Sequence, residues 1–470
     1  MKPTFFIPLL VLVLSCFPRR VAAPTSTSDG WQRAADIVAR IKPPTFPARD
    51  FIITDHGAIA GGEIDGTAAI RLAIETCHRA GGGRVVVPKG VFLTGAIHLK
   101  SNVNLHVSEG ATLKFSTDPA AYLPPVFTRW EGIECMNYSP FIYAMDQENI
   151  AVTGKGTLDG SAGDDNWWAW ARKGADKTSL ASADVKALNV MSEQGVPVEQ
   201  RVFGAGHYLR PNFIQPYRSR NVLIEGLTIL RSPMWEIHPV LSTNVTVRDL
   251  KIDTHGPNND GCNPESSRDV LVENCIFDVG DDCIAIKSGR NEDGRRIGRP
   301  SENIVIRGCT MKDGHAGVAI GSEISGGCRN VFIENSRMDS PHLDRALRIK
   351  SNARRGGVVE DIHMRNIEIG RVSEALLTVD FLYEEGPRGA FPPVLRNVVI
   401  ENVVSHASPR LFYISGFEKA TIDGIRVANS RLEGVTATEV VEHAGRIELD
   451  HVTLVPAIRP ASLSSRKPVE

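Results

Sequence analysis

The chain has 470 residues, 42% of them hydrophobic and 23% charged, and its 53 basic and 55 acidic side chains leave a formal net charge of −2. That balance excludes a disordered or collagen-like chain, and without a basic excess it offers no nucleic-acid footprint. With 42 glycines, 28 prolines and 6% aromatic residues, the composition suits one long turn-rich architecture better than the three domains the length would allow.

Residues 1–23 read as an export signal: Lys2 precedes an apolar run from Phe5 to Leu14, and Val21-Ala22-Ala23 offers small residues for cleavage. The run is too short to span a bilayer as a helix, so no membrane span is expected. Leu14-Ser15-Cys16 is an alternative lipoprotein cleavage site, with a lipid anchor at Cys16. Either route predicts a secreted or periplasmic protein. Residues 24–50 read as a linker. From Asp65 to Cys77 the spacing is helical, which fits a cap over the open end of a stack. Gly81 to Gly90 lacks the ending of a phosphate loop and reads as a turn between strands that continue to Leu113.

Residues 161–210 carry Trp167, Trp168 and Trp170 and interrupt the strand spacing, as an excursion across one surface would. Beyond them lies a repeat. Asn221-Val-Leu-Ile-Glu-Gly-Leu-Thr-Ile229 has two short alternating apolar segments joined at a Gly, and the same form recurs near Val245, Val270, Ile304, Val331, Ile362 and Val398. The joining Gly, Asn or Asp tolerates the left-handed conformation that a sharp corner needs. Intervals of 23 to 36 residues without helical periodicity suit the coils of a single-stranded right-handed parallel β-helix, an all-β fold spanning 51–455. Asn221, Asn244, Asn303, Asn330 and Asn397 precede five copies and could stack as a ladder or serve as turn residues only. Residues 456–470 read as a flexible tail.

Eight cysteines, one of them in the signal, are too few for a disulfide scaffold in so long a chain. Cys275 and Cys309 occupy matching apolar positions and read as small buried hydrophobes. No HExxH or CxxC spacing occurs, so neither a metal nor another cofactor is expected.

Unusual polar residues follow the second segment of successive copies: Asp260, then Asp281 and Asp282, then His315, then Arg348 and Lys350. Coils stacked about 4.8 Å apart would gather these groups into one stripe roughly 15 Å long. Three carboxylates so close cannot all ionise normally, and an acid beside a base is what glycoside hydrolysis requires. Adjacent Asp281 and Asp282 share a cleft only if the chain bends, which Gly280 permits. The ordinary reading of each Asp alone is a solvated turn or a corner cap.

Pro257-Asn-Asn-Asp-Gly261, Gly280-Asp-Asp-Cys-Ile-Ala-Ile286, Gly314-His315 with Ile320-Gly-Ser322, and Arg348-Ile-Lys350 resemble the four motifs of glycoside hydrolase family 28, the polygalacturonases. Asn259 stands where the family commonly has Thr, and Ala316 departs from the family's spacing after His315. The resemblance implies inverting cleavage of galacturonosidic bonds in a pectic polysaccharide, with Asp282 as general acid and Asp260 and Asp281 holding the attacking water; separately from the resemblance, a monomer is expected. His315 would tune the carboxylates, and Arg348 and Lys350 would bind the substrate carboxylate. Lys287, His255, Glu323 and Tyr383 are further candidates for substrate binding; Lys287 and Glu323 read equally as a structural ion pair. Resemblance to the bacterial exo-acting subgroup, with the interruptions at 161–210 and 288–301, implies cleavage from a chain end. Within the family the alternative is an endo-polygalacturonase or a rhamnogalacturonan-type hydrolase, and two readings from other classes stand beside it: a calcium-dependent pectate lyase and a non-catalytic glycan-binding β-helix.

Overall fold

The structure is a computed structural model that describes residues 27–175 and 177–457. The segment read as an export signal, the lipoprotein site at Cys16 and most of the expected tail lie outside the described residues. Strands pair in parallel, each with its counterpart in the next coil, and the register is strict. Val222, Val245, Val270, Ile304, Val331, Ile362, Val398 and Ile425 stack in a single column. All eight are buried, so the β-branched side chains that favour strands also form the continuous core.

The predicted corners are corners. Gly226, Asp249, Asn274, Gly308, Asn335, Asn366 and Asn402 all take positive φ, between 52° and 80°. The asparagine ladder also forms. Asn149 donates to Asn102, Asn221 to Asn149, Asn244 to Asn221, Asn303 to Asp269, Asn330 to Asn303 and Asn397 to Asp361. Each amide donates to a side-chain oxygen one coil away, an Asn carbonyl or the carboxylate of Asp269 or Asp361, so stacking and turn conformation are served by the same residue.

A second face carries Ile284–Ile286, Ala316–Ile320, Arg345–Lys350, Ala375–Asp380, Phe412–Ser415 and Val440–Glu442 as a six-stranded parallel sheet. Its outward residues form the floor on which the polar stripe lies.

The segment read as a linker instead holds helix α1 (Thr27–Arg40). Ile37 is fully buried and Trp31, Ala34 and Ile41 nearly so, against Leu271, Val305 and Phe332 on the back of the sheet. The apolar spacing of an amphipathic helix explains this docking. Helix α2 (Thr67–Arg79) buries Ile70, Ala73, Ile74 and Cys77 over the first coils, as a cap should. All seven described cysteines are buried and unpaired with one another as disulfides, Cys275 and Cys309 among them.

The excursion is a built wall. An antiparallel hairpin, Val126–Trp130 with Ile133–Asn137, joins helix α3 (Ser182–Glu193) in a cluster of Trp130, Ile133, Cys135, Leu188, Phe203, Leu209, Met234 and Trp235. Trp167 is buried against Tyr122 and Phe141, whereas Trp168 donates its Nε1 to the carbonyl of Ser232. The interruption near residue 290 forms helix α4 (Asn291–Ile297), whose Asp293 pairs with buried Arg201 at 2.9 Å. Arg296 reaches Glu134 of the hairpin at 2.6 Å. The buried Asp293–Arg201 pair fixes orientation more than it adds stability.

Candidate active site

Asp260, Asp281 and Asp282 leave the coils in loops rather than strands, so period-2 alternation does not separate the last two. Gly280 makes this possible for a reason other than conformational freedom. A Cβ there would lie 2.5 Å from the carbonyl oxygen of Gly256, so only glycine lets the two loops touch. Asn259, fully buried, anchors the neighbouring loop. Its Oδ1 accepts from Gly256 N at 2.6 Å and Thr254 Oγ1 at 2.5 Å, while its Nδ2 donates to the carbonyls of Ser232 and Met234, both at 3.1 Å.

The three carboxylates converge, with one oxygen of each within 4.8 Å of the others. Lys350 Nζ donates to Asp282 Oδ2 at 2.9 Å, and both groups are buried. Asp282 Oδ1 is buried with no hydrogen-bond partner. Lys287 Nζ lies 3.9 Å from Asp260 Oδ2 and 2.9 Å from Glu323 Oε2. His315 Nδ1 stands 3.0 Å from Asp281 Oδ1.

Environment drives the acids apart. Burial, then the charges of Asp281 and Asp282, push Asp260 well above the usual carboxylate range against the pull of Lys287 and Lys350. Burial would also raise Asp281, but the His315 hydrogen bond and charge, with Lys350 and Lys287, bring it to about 2. The same bond to Asp281 lifts His315 to about 9 despite partial burial. Burial opposes the charge on Lys287, yet Glu323, Asp260 and Asp282 outweigh it and hold its ammonium charged. A neutral carboxyl, a fixed carboxylate and an imidazolium therefore share one site.

Arg348 and Lys350 flank the ring of Tyr383, 5.6 and 5.5 Å from its centroid. Arg348 enters no ion pair with any described residue, and its Nε is buried without a partner. The carboxylate that feels its charge is Asp380, beyond ion-pair distance. Glu323 serves the ion-pair role: Lys287, Arg290 and Arg355 keep it ionised against burial. Of the sequence candidates, only His255 joins another group. Its Nε2 sits 3.1 Å from Asp278, and His255, Asp278 and Asp313 form a second cluster of metal-ligand type; Asp260, Asp281 and Asp282 form the first.

Four contributors had no sequence signal of their own. Arg210, fully buried, donates to the carbonyls of Pro233 and Pro257 and to Asn258 Oδ1, bracing the loop of Asp260; burial lowers its guanidinium to about 10. Asn263 donates to Asp260 Oδ2 at 2.8 Å. Glu236 is fully buried with both carboxyl oxygens unpartnered, and burial with Asp260 and Asp281 nearby keeps it neutral. Glu131, at the hairpin tip, pairs with Arg290 at 3.2 Å, next to Glu323.

The family model for glycosyl hydrolases family 28 matches residues 204–447, a stretch that contains every motif residue above. The chain belongs to glycosyl hydrolases family 28. A relative of solved structure, a hyperthermoactive exopolygalacturonase from Thermotoga maritima, is 44% identical, with a TM-score of 0.88 over 91% of this chain and 96% of that one. The chain is accordingly a right-handed parallel β-helix and a glycoside hydrolase. Among curated proteins it is 28% identical to a probable polygalacturonase of Vitis vinifera, covering 80% of this chain and 73% of the relative. It is also 28% identical to an exo-poly-alpha-D-galacturonosidase of Dickeya chrysanthemi, over 83% and 68% respectively.

Proposed function

We propose that the protein hydrolyses α-galacturonosidic bonds of polygalacturonate, releasing short products from a chain end. The observation that carries the reading is the three converging acids together with Arg348, a cation whose counter-charge no described residue supplies within ion-pair distance and which shares the Tyr383 ring with Lys350. A polyanionic substrate supplies that counter-charge, and guanidinium grips a carboxylate through parallel hydrogen bonds.

In this mechanism Asp282 protonates the leaving oxygen, and Asp281, held ionised by His315, takes the proton of the attacking water with Asp260 beside it. Lys350 and Arg348 hold the sugar carboxylate over Tyr383. Exo action is supported by the wall: Trp235, two residues before the Ile237–Cys262 pairing, lies one coil before Asp260 and is covered by the hairpin and helix α3. The names of the Thermotoga and Dickeya relatives agree with it.

Retention through a covalent intermediate is the stereochemical alternative to direct water attack. Proton NMR of the first product decides: the opposite anomer supports direct water attack, the same anomer the intermediate. For chain-end action, the viscosity of polygalacturonate should fall slowly relative to reducing-end release. A rapid fall with a ladder of intermediate oligomers refutes it.

The site is proposed to work in an exported monomer, on the strength of the basic and apolar pattern of residues 1–23. No helix among the described residues is long and apolar enough to cross a membrane.

A further inference from the structure

The ligand-free site has its general acid tied to a cation. Asp282 is faced by Lys350 from the strand Arg345–Lys350, by Asp260 from the preceding coil, by Asp281 and Lys287 from its own coil and by His315 from the next. Lys350 touches Asp282 at 2.9 Å, whereas the ammonium nearest Asp260, on Lys287, is 3.9 Å away and shared with Glu323 at 2.9 Å. Three carboxylates within 4.8 Å hold a proton in common, and it rests on the acid with the weaker cation. Before substrate binds, that acid is Asp260, and a proton donor is missing where the leaving oxygen will sit.

Substrate changes the balance. Arg348 and Lys350 lie on one Tyr383 ring, so a carboxylate drawn to unpaired Arg348 arrives within reach of Lys350. The two cations repel each other across that gap, and an anion between them relieves the repulsion. The C6 carboxylate and Asp282 then compete for one ammonium.

We propose that the substrate carboxylate arms the enzyme by taking Lys350 from Asp282, so that the shared proton moves from Asp260 to Asp282. This rests on the galacturonide reading above and deepens it. One proton leaves the Asp260 carboxyl and one O–H bond forms on Asp282; no proton enters or leaves the site, and no other reactant is needed. Lys287 stays with Asp260 and stabilises the new carboxylate there. The result is an acid at the leaving oxygen and two anions, Asp260 and Asp281, on the water. The elevated position of Asp260 in the free protein agrees with this resting arrangement. Asp282 Oδ1, buried and unpartnered, is free to carry the proton.

The consequence for specificity is direct. A galactoside lacking the carboxylate, or a galacturonide esterified at it, would occupy the site without releasing Lys350. It would lose kcat by about 10²-fold or more, the usual contribution of a general acid, beyond any change in KM.

The test is difference infrared spectroscopy of the intact protein on adding galacturonate, with galactose as the neutral control. In wild type, galacturonate should give a paired change in the protonated-carboxyl region, one band lost and one gained. Because the two bands report one proton, Asp282→Asn, which has no acceptor for it, and Asp260→Asn, which has no donor of it, should each remove both. Lys350→Gln, in which Asp282 has no ammonium to surrender, should show neither, and galactose should give no change with any variant. A wild-type spectrum without the pair, or a gained band that survives in Asp282→Asn, overturns the proposal. Hydrolysis of polygalacturonate by the same wild-type sample separates the two failures. Hydrolysis without the band pair refutes the proton movement alone, whereas absence of hydrolysis refutes the reading of the site and the proton movement with it.

Discussion

Replacing Asn259 with Ala removes four hydrogen bonds next to Asp260, but the four do not count equally. The carbonyl of Ser232 also accepts from Trp168 Nε1 at 2.8 Å, and that of Met234 from Ser232 Oγ at 2.7 Å, so both keep a donor. The amide N–H of Gly256 and the hydroxyl proton of Thr254 lose their only acceptor. Two orphaned buried donors cost about 1–3 kcal/mol each, so the expected loss is roughly 2–6 kcal/mol. Urea unfolding measures it as a lower midpoint at unchanged slope. Because Asp260 follows directly in the chain, turnover at temperatures where the variant stays folded should also fall. A loss below about 1 kcal/mol with native turnover would refute the claim that Asn259 sets the loop.

Asp282→Asn keeps the shape and removes the transferable proton; reducing-end release should drop by about 10²–10⁴-fold with an unchanged circular dichroism spectrum. EDTA should leave turnover intact and no unsaturated product should absorb in the ultraviolet, because Lys287 and Lys350 already supply positive charge to the acids; calcium dependence with such products would establish the lyase. Burial brings His363, stacked on Phe332 under α1, down to about 4 from 6.5. Neutral imidazole is the folded form, so its contribution is present above pH 6.5 and lost as pH falls towards about 4, up to roughly 3 kcal/mol. His363→Phe should flatten that acid limb in thermal melts. His315 has the opposite sign: raised to about 9 by Asp281, it stabilises below pH 6.5 and ceases to above 9. Its half-exposed ring limits that effect to under about 1 kcal/mol, read as the difference between wild type and His315→Gln.

The coils were legible because their signal is local. Each corner residue, from Gly226 to Asn402, stands between two apolar triplets only a few residues apart. The acids were legible for the same reason, since each follows its triplet at a short offset. Helix α1 was not recognised although Trp31, Ala34, Ile37 and Ile41 have helical spacing; what they dock on lies more than 200 residues away. The braces are of the same kind. Arg210 with Asn258, Glu134 with Arg296 and Arg129 with Glu265 join residues separated by 48 to 162 positions, and no periodicity announces them. Glu236 lies in a bend between strands, where no periodicity gives warning of a buried carboxyl. Gly280 was read for its freedom, but close approach of another backbone is what demands it.

Helix α1 also changes how the stack comes apart. Stacked repeats ordinarily feel only their neighbours, so a solenoid can fray coil by coil from an end. Lys42 bonds to Asn244, Arg40 to Asp269, Arg33 to Asn330 and Asp361, and Trp31 to Glu401. Fourteen helical residues, about 21 Å, thus run antiparallel to the growth of the stack along the ladder edge, past coils that would otherwise be mechanically independent. The coils from Asn244 to Glu401, which carry the three converging acids with His315, Arg348 and Lys350, are splinted into one cooperative block. Opening any one of them requires the splint to lift from the rest.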